Sequence, residues 1–405
     1  MAKQTLIGFI LGLFAIISIG CTEVSNEPDI NVDIVFNNDL LFAEITTDQV
    51  CLGLGNEKAE CDALASFTDD RTLKHAVALG DIDGDGDLDA VFASDVIRAD
   101  DDHFSCLNLG NAKFDCTTFF ADVHFSEDIA LGDIDGDGDL DAVLPTRILD
   151  PESEIKHDHN RVCLGDGRGR FGCQRLSEDL NSSRGVALGD VNADGLLDAI
   201  FANDKQNTLC LGQGNAKFLC QFLSEDAITS NSVKLGDING DDLLDVVFAN
   251  SKQNHICTQR DNLAFECNPI ENNTDHSSEV ALGDLNNDGY LDAVFANDYR
   301  QTDESPPKFK DGIPNRVCMG NGKGSFNCEP INDDEFYTSS VALGDLNGDG
   351  HLDAAFANYR SNVSASQGQR NRACFGNDKG RFLCADVDSQ TNFSLDVAIG
   401  KINNE

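Results

Sequence analysis

One pattern recurs so regularly along this chain that it decides the architecture before any other feature is weighed. The segments LGDIDGDGDLDAVFAS from Leu79, LGDIDGDGDLDAVLPT from Leu131, LGDVNADGLLDAIFAN from Leu188, LGDINGDDLLDVVFAN from Leu235, LGDLNNDGYLDAVFAN from Leu282 and LGDLNGDGHLDAAFAN from Leu343 are six copies of one unit, spaced 47 to 61 residues apart. A second unit follows each, bounded by cysteines ten positions apart: Cys106 and Cys116, Cys163 and Cys173, Cys210 and Cys220, Cys257 and Cys267, Cys318 and Cys328, Cys374 and Cys384. A seventh pair, Cys51 and Cys61, follows EPDINVDIVFNND, which matches only the second half of the acidic unit. The first half stands at the opposite end, where VAIGKINNE copies VALGDLNGD and stops. From the second cysteine to the next acidic unit is 17 positions in five repeats, and the same count from Cys384 reaches Lys401. One repeat is therefore split between the two ends.

Each repeat holds short alternating apolar segments separated by Gly, Asn and Asp turns, the signature of four short antiparallel strands. Repeats of this length with four strands apiece predict an all-β chain, a seven-bladed β-propeller spanning 29–405 and closed by pairing of its N- and C-terminal strands. Such closure leaves no exposed sheet edge. An open stack of repeats is the alternative, and it gives no reason for complementary half-repeats at the ends.

The acidic unit carries oxygens on alternate residues: Asp81, Asp83 and Asp85, then Gly86, then Asp89. Carboxylates crowded into one partly buried bend repel one another by several kcal/mol, so a cation must compensate. Calcium fits, because it is hard, takes 6–8 oxygen ligands and tolerates an irregular loop with glycine at its sharp turn. The alternative is a solvated acidic turn. An EF-hand is excluded, since its twelfth position requires Glu and here falls on Phe92, Leu144 or Phe201 within an apolar run. The formal net charge of −42 argues against nucleic acid or an anionic membrane surface as a direct partner. Six calcium ions would offset less than a third of that charge, and the remainder reads as a solubilising surface.

These units resemble the FG-GAP/VCBS repeat family, which includes the calcium-binding propellers of integrin α chains. In that family the loop joins the first two strands of a blade and holds calcium through side chains at positions 1, 3, 5 and 9. The resemblance implies as ligands Asp81, Asp83, Asp85 and Asp89; Asp133, Asp135, Asp137 and Asp141; Asp190, Asn192, Asp194 and Asp198; Asp237, Asn239, Asp241 and Asp245; Asp284, Asn286, Asp288 and Asp292; and Asp345, Asn347, Asp349 and Asp353. Asp242 replaces the turn glycine of the fourth loop, and Lys401 replaces the first Asp of the split repeat, so six ions are expected rather than seven.

Seven cysteine pairs and Cys21 account for all 15 cysteines. Residues facing each other across an antiparallel hairpin come within disulfide range, which predicts one staple per blade in an oxidising compartment. Each would stabilise by about 2–3 kcal/mol on the chain-entropy model. Free thiols and bridges between blades are the alternatives, and zinc is disfavoured because no C-x-x-C spacing occurs. The opening MAKQTLIGFILGLFAIISIGC reads as a signal peptide over 1–20, with 21–28 as a linker or anchor segment. ISIGC resembles a bacterial lipobox, implying lipidation of Cys21, although Ser18 stands where that pattern prefers Leu and ordinary signal-peptidase cleavage is also compatible. The expected location is the cell envelope or outer surface, lipid-anchored, with a secreted or periplasmic protein as the alternative. Membrane contact is expected only through that anchor.

In such blades the acidic loops and the cysteine hairpins share one face, and the connections between second and third strands share the other. Those connections vary from 12 positions, Asp198 to Cys210, to 26, Asp292 to Cys318. Length variation confined to one face often marks a binding surface. The long connections concentrate Arg147, Arg161, Tyr299, Arg300, Arg316, Tyr359, Arg360 and Arg372. Arg and Tyr are common interface anchors, so Tyr299, Arg300, Arg316, Tyr359, Arg360 and Arg372 are candidates for an acidic or hydroxyl-rich glycan, or for a protein partner. The alternative is that the arginines merely pair with neighbouring carboxylates. His157 and His159 could bind a transition metal, or could simply be exposed. No nucleophile elbow, phosphate loop or H-E-x-x-H motif occurs. The expected function is thus non-enzymatic: a calcium-stabilised adhesion or ligand-binding module. A polysaccharide lyase or hydrolase on a propeller scaffold is the alternative, and a purely structural envelope component a third reading.

Overall fold

The computed structural model describes residues 33–38, 49–51, 62–63, 74–94, 103–110, 113–119, 125–147, 159–178, 182–260, 263–270, 275–301, 309–333, 336–360, 368–387 and 394–400. In the first blade Lys74–Gly80, Asp89–Ser94, His103–Asn108 and Phe114–Phe119 pair antiparallel in chain order. The acidic unit connects the first strand to the second, and the cysteine unit is the hairpin joining third to fourth. The same order recurs in blades whose first strands are Ala130–Gly132, Ser183–Gly189, Ser230–Gly236, Asp275–Gly283 and Tyr337–Gly344. The fifth blade adds Phe309–Asp311 along its extended second strand, Asp292–Gln301.

The expectation of seven blades is corrected to six, built of the 25 strands from Lys74–Gly80 to Leu383–Asp386. The chain ends do meet, Ser394–Gly400 pairing antiparallel with Asp33–Asn38. That terminal sheet continues only through Gln49–Cys51 and Asp62–Ala63, strands of three and two residues. The physical reason is the cut in the repeat. Ser394–Gly400 and Asp33–Asn38 stand far apart in the chain, so they are not joined by a continuous acidic loop as first and second strands are in each blade. The expected signal peptide and Cys21, within residues 1–32, lie outside the described residues, as do Cys61 and Lys401. Among the described residues no helix is long and apolar enough to cross a membrane.

The second strands read as unbroken apolar runs because both their faces are dry. All six residues of Asp89–Ser94, Asp198–Asn203 and Asp245–Asn250 are buried. Phe92, Leu144, Phe201, Phe248, Phe295 and Phe356, at one repeat position, are among the largest fully buried side chains, each stabilising by about 1.5–3 kcal/mol. The core lies between blades: Val91 and Ala93 of the first pack with Ala142 and Leu144 of the second. Outer strands alternate instead, as Phe114–Phe119 does with its polar residues outward.

A second repeated contact holds neighbouring blades together. An asparagine three residues before the first cysteine of a pair donates its amide to a hydroxyl on the first strand of the next blade: Asn160 to Ser183 (3.0 Å), Asn207 to Ser230 (2.9 Å), Asn254 to Ser277 (2.8 Å) and Asn315 to Thr338 (3.1 Å). Asn371 does the same to Ser394 of the terminal strand at 2.8 Å. Its carbonyl meanwhile accepts a backbone N–H of its own blade, as Asn254 does from Asn250 at 2.9 Å. In the first blade His103 occupies this position. It accepts the Ser94 N–H at 3.0 Å through Nδ1, and burial pushes its pKa down to about 4, so it stays neutral.

Asn254→Ala strands the Asn250 N–H in the core and removes the amide donor to Ser277, whose hydroxyl still donates to Asn297. Equilibrium denaturation should show a loss of about 1–3 kcal/mol, and the double variant with Ser277→Ala should lose less than the sum of the two singles.

Candidate functional site

The six acidic loops share one backbone course. Residue four takes positive φ (Gly84, Gly136, Ala193, Gly240, Asn287, Gly348), and so does residue six (Gly86, Gly138, Gly195, Asp242, Gly289, Gly350). Asp242, at φ 64°, keeps the turn that glycine makes elsewhere, a conformation Asp tolerates better than branched residues. The first Asp of each loop caps the bend. Asp81 accepts the N–H groups of Gly84 and Gly86 at 2.7 and 3.0 Å, and Asp345 those of Asp349 and Gly350 at 3.1 and 2.9 Å.

The ninth residue is a bracket. Asp89, Asp141, Asp198, Asp245, Asp292 and Asp353 are buried. One oxygen of each accepts the N–H of loop residue two, from Ile82, Ile134, Val191, Ile238, Leu285 and Leu346, at 2.8–3.1 Å. The other accepts an N–H at the end of the third strand, from Asn108, Gly165, Gly212, Gln259, Gly320 and Gly376, at 2.7–2.8 Å. Burial raises the pKa of all six, up to about 6 for Asp89, Asp292 and Asp353, and the neighbouring loop carboxylates add to the rise.

Two loops bring carboxylates together closely. Asp81, Asp83 and Asp89 offer oxygens within 4.8 Å of one another, and so do Asp133, Asp135 and Asp141. In the other four loops Asn stands third. Asn192 donates to Asp194 at 3.0 Å and Asn347 to Asp349 at 3.1 Å, so the amide relieves some of the repulsion inside the loop. The donor set is hard oxygen throughout, which suits a cation that takes 6–8 oxygens.

Six disulfides close the third-to-fourth hairpins, Cys106–Cys116, Cys163–Cys173, Cys210–Cys220, Cys257–Cys267, Cys318–Cys328 and Cys374–Cys384, each between residues directly opposed across the ladder. They mark an oxidising, extracytoplasmic setting. Cys51 lies in Gln49–Cys51.

The first strands line a central channel, and its mouth on the long-connection face opens into a cavity of about 290 Å³. Its lining includes Glu127, Asp128, Arg184, Ser232, His276, Glu279, Asp298, Tyr359 and Asp396. Tyr359 therefore reaches the cavity, and Tyr299 stacks on His276 behind it, ring centroids 4.4 Å apart. Arg316 and Arg372 do not. Arg316 donates to the Cys328 carbonyl at 3.3 Å, while Arg372 pairs with Asp386 at 3.2 Å and lies over the Phe336 ring. The side chains of Arg300 and Arg360 are outside the described set, although both residues belong to second strands. His159 is buried rather than exposed, its carbonyl accepting from Thr146, and His157 lies outside the described residues.

The sequence reading missed the charged residues of the channel. Lys234 pairs with Glu279 at 3.1 Å. Desolvation works against the ammonium, but Glu279 and Asp128 outweigh it and hold its pKa above the ordinary range. Asp396 ties the terminal strand to both neighbours, accepting the Val77 N–H at 2.8 Å and the Ser340 hydroxyl at 2.5 Å. Desolvation, then the Glu279 charge, pushes its pKa up to about 7, and desolvation lifts Asp128 to about 6. Lys234 and Glu279 sit on first strands, Asp396 on the terminal strand and Asp128 just before Ala130–Gly132, and each interrupts an apolar stretch, the one signal that could have found them.

This architecture is a β-propeller. Residues 190–248, 237–295 and 284–356 match the FG-GAP-like repeat, each window opening on the first Asp of an acidic loop, so the chain contains FG-GAP-like repeats. Among solved structures, an Agrocybe aegerita lectin described as recognising non-reducing terminal N-acetylglucosamine is similar at 16% identity and a TM-score of 0.58, with 92% of this chain and 95% of that one covered. A protein from Lactobacillus plantarum is similar at 12% identity and 0.59, covering 92% and 100%. A provisionally assigned 6-phosphogluconolactonase from Bacteroides uniformis is similar at 10% and 0.58, covering 91% and 99%. At these identities the likeness shows the fold alone. No curated protein matches the chain.

The raised pKa of Asp396 has a definite sign for stability. The folded protein holds this proton up to about 7, whereas an ordinary Asp releases it near 3.8. Folding therefore takes up a proton between those values, and the stability so gained is lost as pH rises through 7. With calcium saturating, the melting temperature should fall from pH 6 to pH 8, and Asp396→Asn should flatten that slope.

Proposed function

We propose that this chain is an exported, calcium-stabilised propeller acting as a non-enzymatic binding or adhesion module, with a glycan or protein ligand taken on the long-connection face. The observation that carries the reading is the sixfold recurrence of one loop whose first Asp caps a backbone bend, with carboxylate oxygens converging in the two loops where Asp stands third. Calcium would be held by positions 1, 3, 5 and 9 of each loop, and in the loops of Asp81 and Asp133 the oxygens of positions 1, 3 and 9 lie within 4.8 Å of one another. Bound there, the ion supplies positive charge that lets every loop carboxylate ionise while the bend stays closed. Enclosure, aromatic rings and polar groups at the channel mouth support ligand binding on the opposite face. Export is supported by the six disulfides, and lipid anchoring at Cys21 belongs to the same proposal.

Two measurements test it. Titration calorimetry on chelator-stripped protein should show six calcium equivalents, tightest at the loops of Asp81 and Asp133, and chelation should lower the melting temperature. At free calcium 100-fold above Kd each site contributes about 2.7 kcal/mol. An unchanged melting temperature with no bound metal would end the calcium reading. A glycan and protein array, run with and without chelator, should give calcium-dependent binding that weakens on Tyr359→Ala. Turnover of an arrayed glycan would replace the non-enzymatic reading.

A further inference from the structure

The acidic loops do not stand alone. At each of the five junctions between successive described blades, the cysteine hairpin of the following blade sits against the loop of the blade before it. The contact comes from the residue six positions after the first cysteine, Gly169, Ala216, Leu263, Gly324 or Gly380, always at positive φ in the hairpin turn. Gly169 donates its N–H to the carbonyl of Ile82, residue two of the preceding loop, at 3.1 Å. Ala216 shares one apolar cluster with Ile134, and Leu263 another with Val191, again residue two of the preceding loops. A Cβ on Gly324 would stand 3.6 Å from the Asn239 Cβ, and one on Gly380 3.7 Å from the Asn286 Cβ, so these turns lie beside residue three.

Residues two and three are where such a contact shapes the loop. The N–H of Ile82 is held by the buried Asp89 of its own blade, while its carbonyl is held by the next blade. At the third junction Gln259 makes the equivalent bond, its Nε2 donating to the Val191 carbonyl at 3.1 Å. Residue three is a proposed calcium ligand. In the fifth loop the Asn286 amide donates to the Met319 sulfur at 3.7 Å, the side chain that Gly380 lies against, and its oxygen accepts the Asp288 N–H at 2.8 Å. Each of these hairpins runs into the outermost strand of its blade, which pairs on one side only. The disulfide ties that strand to the third strand, whose end the ninth Asp already fixes.

We infer that each disulfide hairpin shapes the calcium loop of the blade before it, so that calcium affinity in one blade depends on a disulfide in the next. The hairpin residues are positioning residues, touching the loop and not the ion. This rests on the calcium reading proposed above and adds to it a dependence on redox state, since reduction loosens the ions along with the hairpins.

Terbium luminescence in the full chain reads one loop by itself. The chain has no tryptophan, and of its four tyrosines Tyr290 stands seventh in the loop of Asp284, whereas Tyr299, Tyr337 and Tyr359 gather at the channel mouth. Tyrosine-sensitised emission, displaced by calcium, should report the calcium affinity of that loop, and Asp284→Asn should abolish it. Cys374→Ala with Cys384→Ala, in the following blade, should weaken calcium at this loop about tenfold, as loss of an outer partner of a metal ligand does. Cys163→Ala with Cys173→Ala, in a blade that does not touch this loop, should leave the midpoint unchanged, a contrast that general loss of stability does not produce. Gly380→Ala keeps the disulfide, and Ala216 makes the same turn at φ 54°; its Cβ would press on Met319, the partner of the Asn286 amide, and should weaken the same midpoint severalfold. It keeps the test decisive if the cysteine variant folds poorly. An unchanged midpoint in the Cys374/Cys384 and Gly380 variants, or an equal loss from the Cys163/Cys173 variant, overturns this inference while calcium binding stands. No emission that calcium displaces, or emission that survives Asp284→Asn, overturns the calcium reading of this loop and the inference with it.

Discussion

The structure depends on a buried aspartate at the head of each second strand. With one oxygen it holds the start of the acidic loop, and with the other it holds the end of the third strand. Three segments that would otherwise be joined only by sheet pairing are thereby clamped at one corner of every blade. The cost is a carboxylate in a dry place beside other carboxylates, visible in the raised pKa of all six. A divalent cation in the loop would offset that cost, which makes the clamp and the proposed calcium sites one electrostatic device.

Around this clamp the blades are joined by contacts that are weak singly and sum around the ring. The paired asparagine and hydroxyl bind each blade to its successor, and the last of them binds Asn371 to the terminal strand. At the acidic-loop end of the first strands the chain needs glycine. A Cβ on Gly189 would come within 2.8 Å of Leu235 and 3.0 Å of Leu244, side chains of the following blade. At the opposite end the channel widens into the charged cavity. One face is thus closed by packing and capped by acidic loops, while the other is left open.

Much of this was legible in the chain. The Phe position of each repeat, unbroken in its apolar run, announced a strand buried on both faces, and the constant cysteine spacing announced opposed residues in a hairpin. The N-x-x-C motif was equally regular, yet its hydrogen bonds to a hydroxyl 23 residues onward went unread because a polar residue in a hairpin has many possible partners. The blade count failed for a related reason. A half-repeat at each end shows that the ends can pair, as Ser394–Gly400 and Asp33–Asn38 do, but not that short strands such as Gln49–Cys51 and Asp62–Ala63 will build a full blade.

The sequence by itself determined the repeat, the strand order within a blade, the staples and the loops crowded with oxygen, because each arises within one contiguous segment and recurs. Only the tertiary structure decided where charge ends up. Asp128, Lys234, Glu279 and Asp396 come from four separate stretches of the chain and meet in the channel only once the blades are arranged around an axis. The arginines that looked available in the long connections are, where described, drawn to carboxylates or backbone carbonyls nearby. Coulombic interactions act across space whatever the distance along the chain, so these pairings could not be read before the fold had closed.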